Sequence, residues 1–315
     1  MRLITFLVQR MMQLVPLLFM VTFLIFSMMQ LLPGDPTFAM LGEQAGPQER
    51  AALRAKLGLD QPLPVQYMRW VANTASGDLG TSLRTREPVN EMLMTRIPVT
   101  LQLTVMAILL SVIIGVPAGI LAALRRNSWI DLVVSFLSMG GVAMPFFWMG
   151  MLLIGFFTLR LGWLPPSGYV APTTDLWLNL KLMLMPTITI GTTMAALVMR
   201  QTRTAMLQVL GEDFIRTARA KGAGEPRVIG LHALRNALIP VVTVIGLQTG
   251  ALVSGAVVTE TIFSLPGLGR MLVEGIFERD IAPVQAAILI IVVGVLLVNL
   301  LTDLAYVVLD RRIKL

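Results

Sequence analysis

The chain has 315 residues, 56% of them hydrophobic and 14% charged, with a mean hydropathy of +0.77. A soluble domain carries about 25% charged residues, so this balance belongs to a polytopic membrane protein. The absence of cysteine and the single histidine, His232, exclude disulfides, thiol nucleophiles, zinc–thiolate centres and multi-histidine metal clusters. The net charge of +7, placed where it is along the chain, speaks of membrane topology rather than nucleic acid.

A bilayer-spanning helix needs about 20 apolar residues, and six stretches qualify: about 11–32, 99–123, 132–159, 183–204, 237–258 and 284–307. The first, with Arg2 and Arg10 ahead of it, is too long for a signal-peptide core and lacks a small-residue cleavage site, so it reads as a retained anchor. About 65 residues separate it from the second span. Within them Gln48 to Leu57 reads as a short helix, Pro62 and Pro64 are expected to break the chain after it, and Gly77–Ser82 reads as a turn-rich loop. The remaining spans come in quick succession. The organisation expected is therefore residues 1–95 as an N-terminal helix plus external loop, 96–307 as a five-helix core, and 308–315 as a tail.

Prolines 117, 145 and 240 interrupt apolar runs, and each removes a backbone donor, kinking or breaking its helix. On the fourth span Thr189, Thr192, Thr193 and Ala196 recur at helical spacing, a weakly polar stripe that either lines a translocation path or serves close helix packing, with threonines bonding their own backbone. Thr243, Gln248, Thr249 and Ser254 on the fifth span carry the same two readings, Gln248 most strongly towards a path because a buried amide needs partners. Residues 266–280 read as an amphipathic interfacial helix, with Leu268, Met271, Leu272 and Ile276 opposed by Arg270, Glu274 and Arg279. On the last span Asn299 and Asp303 are four residues apart, and Asp303 is expected to pair with Arg311 or Arg312 or to cap the helix.

Six spans put both termini on one side. If that side is the cytoplasm, its segments hold fourteen of the 25 basic residues but only six of the 18 acids, as the positive-inside rule for short loops requires. On the same side lies Gly211–Gly222, GEDFIRTARAKG. Acids Glu212 and Asp213 come first and bases Arg216, Arg219 and Lys221 last, which suits a helix dipole. Gly222 is placed to take the left-handed position just past the helix, and Pro226 to open the next one. Phe214, Ile215 and Ala218 form a small apolar patch ringed by arginines. An interfacial helix floating on anionic lipid is one reading. A rigid knob docking on a soluble partner is the other, and the defined corner at Gly222 favours it.

These residues, with His232–Pro240 (HALRNALIP) after them, resemble the cytoplasmic signature of permeases of binding-protein-dependent ABC importers, and within these the dipeptide/oligopeptide/nickel/glutathione group. Arg216, Thr217, Ala218 and Gly222 stand where the general signature has Glu-Ala-Ala and Gly, with Arg216 for Glu as in the peptide group. Leu32–Pro36 (LPGDP), Gly77–Gly80 (GDLG), Met144–Trp148 (MPFFW) and Glu260–Arg270 (ETIFSLPGLGR) are similar to the first permease of the pair in that group.

The resemblance implies an all-α integral membrane subunit of the type I importer permease fold in a bacterial inner membrane. It implies a coupling helix at about 212–222, carrying Phe214, Ile215, Arg216, Ala218, Arg219 and Gly222. The partners it implies are a second homologous permease, two ATP-binding subunits and an external solute-binding protein, besides membrane lipid and without nucleic acid. With no G-x-x-x-x-G-K-[ST] run in the chain, ATP and Mg are expected on partner subunits, and no cofactor or enzymatic activity on this one. An ion-coupled secondary transporter is the alternative; the lack of an internal repeat counts against it.

Overall fold

A computed structural model describes residues 2–31 and 46–309. The LPGDP motif at 32–36 and the bases Arg311, Arg312 and Lys314 lie outside the described residues. Among the described residues every regular element is helical, and the remaining backbone pairing is an isolated bridge between Thr81 and Pro88. In chain order the helices are α1 (Arg2–Leu31), α2 (Pro47–Leu57), α3 (Leu63–Ala75), α4 (Val89–Leu124), α5 (Trp129–Ala143), α6 (Phe146–Leu153), α7 (Leu176–Leu210), α8 (Asp213–Ala220), α9 (Leu234–Ile262), α10 (Leu268–Glu278) and α11 (Ile281–Leu309). A π-helical stretch, Ile154–Arg160, continues α6, and another, Val228–Ala233, leads into α9.

Among the described residues four helices are long and apolar enough to cross a membrane, or five spans if a bent pair counts as one. The stretch 132–159, expected as one span, is instead a pair of helices, Trp129–Ala143 and Phe146–Arg160, meeting at 105°. The cause is local. Pro145 offers no N–H and disfavours helical geometry in the residue before it, and Met144 is extended at φ −82°, ψ 119°. The other two prolines expected to interrupt helices do not: α4 runs on through Pro117 and α9 through Pro240, as α7 does through Pro186. Nor do Pro62 and Pro64 break the chain. Pro62 caps α3 and Pro64 sits in its first turn, where a missing N–H is harmless. The apolar part of α1 among the described residues is Met12–Met28.

Two compact units emerge, residues 1–98 with 267–296 and residues 99–266 with 297–315. In the first, Tyr67 of α3 is buried against α1. Its ring stands edge-on to Phe19, Phe23 and Phe26, and its hydroxyl is 3.0 Å from that of Thr22. The loop after α3 turns on two left-handed glycines, Gly77 (φ 90°) and Gly80 (φ 84°), and the Gly80 N–H donates to Asp78. The loop is then fastened by the buried Asp280, which accepts from the Ser82 hydroxyl and the Leu83 N–H. Helix α10 forms where the amphipathic pattern placed it, with Leu268 and Met271 buried beside Val89, Leu93 and Ala286, but Ile276 is exposed.

In the second unit α7 is the central helix. Without a hydrophobic driving force between helices in lipid, close packing of small residues must hold them together, and that is how α4 and α5 sit on α7. A Cβ at Gly115 would lie 2.8 Å from the Ala195 carbonyl, and one at Gly119 would lie 2.6 Å from both the Met199 carbonyl and Thr202 Cβ. A Cβ at Gly141 of α5 would come within 2.9 Å of Ala196 Cβ. Helix α9 packs along the remaining face, burying Val241, Leu252, Ala256 and Phe263 with Met183, Met185, Ile190, Met194 and Val198 of α7. At the other side of α9, Gly246 is in close contact with Thr302 of α11.

Adjacent glycines give a sharp test. At Gly140 a Cβ would meet nothing, whereas at Gly141 it meets α7. Gly141→Val should lower thermal stability of the purified assembly by about 1–3 kcal/mol, the usual range for overpacking. Gly140→Ala should leave it unchanged or slightly higher. Melting of the detergent-purified assembly distinguishes the two.

Candidate functional site

The segment between α7 and α9 folds into a compact elbow. The acids and bases fall as a helix dipole prefers. Glu212 is the extended N-cap, Asp213 lies in the first turn of α8, and Arg219 lies in its last. Gly222 adopts φ 81°, and nothing crowds a Cβ there, so its requirement is purely one of backbone conformation. Around it the Gly222 N–H donates to the Arg219 carbonyl (2.9 Å) and the Ala223 N–H to that of Ala218 (3.2 Å). This is a Schellman closure, and it satisfies the carbonyls that a helix end leaves open. Arg219 then clasps the exit, donating from both Nε and Nη2 to the two oxygens of Glu225 at 2.7 and 3.2 Å. That hydrogen bond raises the Arg219 pKa. Arg216 pairs with Asp213 at 3.3 Å on the exposed face. Glu225–Arg227 makes one helical turn with Pro226 inside it, and the π-helical stretch carrying His232 comes next.

The apolar patch divides in two. Ile215 is 0% exposed and sits among Ala123 of α4, Ala205 and Met206 of α7, Val228, Ala233 and Ala237, with Ala218 packed alongside. Phe214, its neighbour, is 44% exposed. Ile215 therefore holds α8 to the ends of α4, α7 and α9 and does not belong to the outward face. Phe214, Arg216, Arg219, Lys221 and Arg227 are all exposed, as are Glu212, Asp213, Thr217 and Glu225.

The polar stripe inside the bundle is largely committed to its own helices. Hydroxyls of Thr189, Thr192, Thr243 and Thr249 donate to the carbonyls four residues back, those of Met185, Ile188, Ile239 and Ile245. Thr189 and Thr249 are buried, Thr193 and Gln248 half-buried, and Ser254 exposed. Ala196 is buried at the Gly141 contact.

Three polar constellations could not be anticipated from the sequence. Glu260, near the end of α9, is fully buried and accepts from the Thr100 hydroxyl of α4 at 2.6 Å. Gln102 of α4 donates to Asn179 of α7 at 2.6 Å and accepts from the Tyr169 hydroxyl at 3.1 Å. Asn179, 0% exposed, also donates to the Val170 carbonyl. Asp131 of α5 receives Arg203 of α7 in a two-pronged pair at 2.5 and 2.8 Å. Polar residues inside apolar runs were visible signals; the partners, 72 to 160 residues apart, were not.

Residues 115–315 match the family "binding-protein-dependent transport system inner membrane component", and residues 3–104 match the N-terminal component of the same system. The chain is 43% identical to the dipeptide transport system permease protein DppB of Alkalihalophilus pseudofirmus, with 99% of each chain covered. It is 44% identical to the di/tripeptide transport system permease protein DppB of Pseudomonas aeruginosa, again over 99% of each. To the glutathione transport system permease protein GsiC of Escherichia coli K12 it is 40% identical over 99% of each. Among solved structures, an inward-facing form of the MetNI methionine ABC transporter superposes with a TM-score of 0.58 at 19% identity, covering 70% of this chain and 96% of that one. That likeness speaks for the fold, an all-α type I importer permease. Family matches over both halves, and whole-length relatives of 40% identity or more, make this chain a member of the binding-protein-dependent transport system inner membrane component family, a membrane-spanning transport subunit rather than an enzyme.

Proposed function

We propose that this permease subunit forms half of a translocation pathway for peptides or related small solutes. Its partner in the pathway is a second homologous permease, and α8 is the coupling helix through which two ATP-binding subunits drive it. An ABC importer permease works with an ATPase and a solute-binding protein. The observation that carries the finer reading is the elbow itself: a Schellman-closed helix rooted by the fully buried Ile215, with the aromatic Phe214 and several cations left on its outer face. A helix rooted in this way transmits force applied to its outer face, and a helix floating on lipid needs neither the root nor the closed corner. Peptides are favoured by the di- and tripeptide and glutathione permeases among the relatives.

The topology that fits this role has six spans, counting α1 and the bent α5–α6 pair as one each, with both termini and α8 in the cytoplasm. ATP binding closes the partner ATPases and carries α8 with them, rocking the bundle between outward-facing and inward-facing states. Thr189, Thr192, Thr193, Thr243, Gln248 and Thr249 remain the candidates for the path. Four of them commit their hydroxyls to their own helices, which leaves the half-buried Thr193 and Gln248 as the polar groups best placed to face a solute.

Gly222→Pro, which cannot adopt a positive φ, and Arg219→Glu, which sets two carboxylates against each other, should both abolish substrate-stimulated ATP hydrolysis in the reconstituted complex while membrane insertion persists. Adding Glu225→Arg to Arg219→Glu should restore the clasp and much of the stimulation. Unchanged stimulation in the single variants would count against α8 as the coupling element.

Ile215 and Phe214 should separate cleanly. Ile215→Ala should destabilise the elbow by about 2–5 kcal/mol, as buried truncations do, seen as earlier melting and faster proteolysis of the 211–228 segment. Phe214→Ala should leave melting unchanged and weaken the grip of the ATPase by about 2 kcal/mol, roughly 30-fold in affinity, as for a central aromatic anchor. Titration of purified ATPase onto permease-containing nanodiscs measures it. Uptake of a radiolabelled dipeptide, competed by glutathione, tests the solute class.

A further inference from the structure

A part-buried ion pair ties α5 to the stretch of α7 that runs into the elbow. Asp131 is 5% exposed, in the first turn of α5. It accepts from the Asn127 N–H at 3.0 Å, where Asn127 holds a positive φ of 61° in the turn leaving α4. Both its oxygens also meet Arg203, whose Nε and Nη2 approach to 2.5 and 2.8 Å. One carboxylate thus closes the α4–α5 turn and grips α7 together.

Position gives the pair its meaning. Arg203 lies on the uninterrupted stretch of α7 that ends at Leu210, where the elbow begins. Beside it, Gly119 of α4 is packed onto Met199 and Thr202. One turn further, Ala205 and Met206 of α7 and Ala123 of α4 hold Ile215. The ends of α4 and α7 and the elbow are therefore one packed body. Helix α5 is absent from that cluster. It leans on α7, with Gly141 against Ala196 at one end and Asp131 on Arg203 at the other.

We propose that the Asp131–Arg203 pair is the link that makes α5, and with it the bent α5–α6 segment, follow the elbow during the transport cycle, so that both are positioning residues for coupling. The pair stays closed in both facing states. With Asp131 buried and Arg203 part-exposed, the pair is poor evidence for net stability, since desolvation of the carboxylate offsets much of its attraction, and two-pronged geometry is specific in direction. The inference rests on the coupling role of α8 set out above.

The absence of native cysteine in this chain makes the test direct. The complete importer, with ATPase subunits and binding protein, is reconstituted in proteoliposomes as the parent, as Asp131→Asn, and as the double variant Asp131→Cys with Arg203→Cys. Uptake of a radiolabelled dipeptide is measured per ATP hydrolysed. Asp131→Asn and the uncross-linked double variant should hydrolyse ATP while uptake per ATP falls at least five-fold. Joining the two thiols with a short bis-methanethiosulfonate reagent should return the ratio to near the parent value in the same protein preparation, with melting of the Asp131→Asn complex unchanged from the parent.

A cross-linked complex that is locked would overturn the inference, because the pair would then have to part in each cycle. So would an Asp131→Asn complex that melts earlier yet keeps the parent ratio. If Gly222→Pro uncouples and Asp131→Asn does not, the link fails and the elbow reading stands. If neither uncouples, both fail.

Discussion

The fold depends on how closely two helix backbones approach α7. In lipid an apolar surface gains nothing by leaving water, so association must come from intimate contact. Gly115 and Gly119 supply it from α4, four residues apart and therefore on one face, with no room for a Cβ beneath either. Gly141 supplies it from α5. Two part-buried polar links and the seat of the elbow lie along this seam. Gln102–Asn179 lies towards the α4 start, Asp131–Arg203 towards its end, and the cluster that seats the elbow just beyond.

That arrangement answers a mechanical problem. A short helix exposed to water is marginal alone, and the coupling role proposed for α8 asks it to carry force as well. Here α8 gains rigidity from three independent devices: the Schellman closure at Gly222, the Arg219–Glu225 clasp across the corner, and burial of Ile215 in an apolar cluster built from α4, α7 and α9. Phe214 stays on the surface, among exposed bases and the exposed acids Glu212, Asp213 and Glu225. Two adjacent residues divide the labour, Ile215 rooted in the bundle and Phe214 left exposed, as the proposed handle requires.

Much of this was legible in the sequence. The bounds of α8 followed from acids at 212–213, bases at 216–221 and a glycine at 222, because helix dipole and left-handed cap are local effects. The amphipathic α10 was legible for a similar reason, as was α2. Proline was not a reliable guide. Pro145 breaks its span, but Pro117, Pro186 and Pro240 lie within continuous helices. The Gly115–Gly119 spacing was a readable signal that went unread. The inward turn of Ile215, and the pairing of Asp131 with Arg203 or Glu260 with Thr100, could not be read at all. They join residues far apart in the chain and arise only once the helices are packed.

The most direct measurement of the docking of α8 is photo-cross-linking in native membranes, with p-benzoylphenylalanine in place of Phe214. An adduct between this permease and the ATP-binding subunit, lost when the photoreactive group is moved to the buried position 215, is the expected result. Labelling of lipid alone from position 214, with the intact importer assembled, would contradict it.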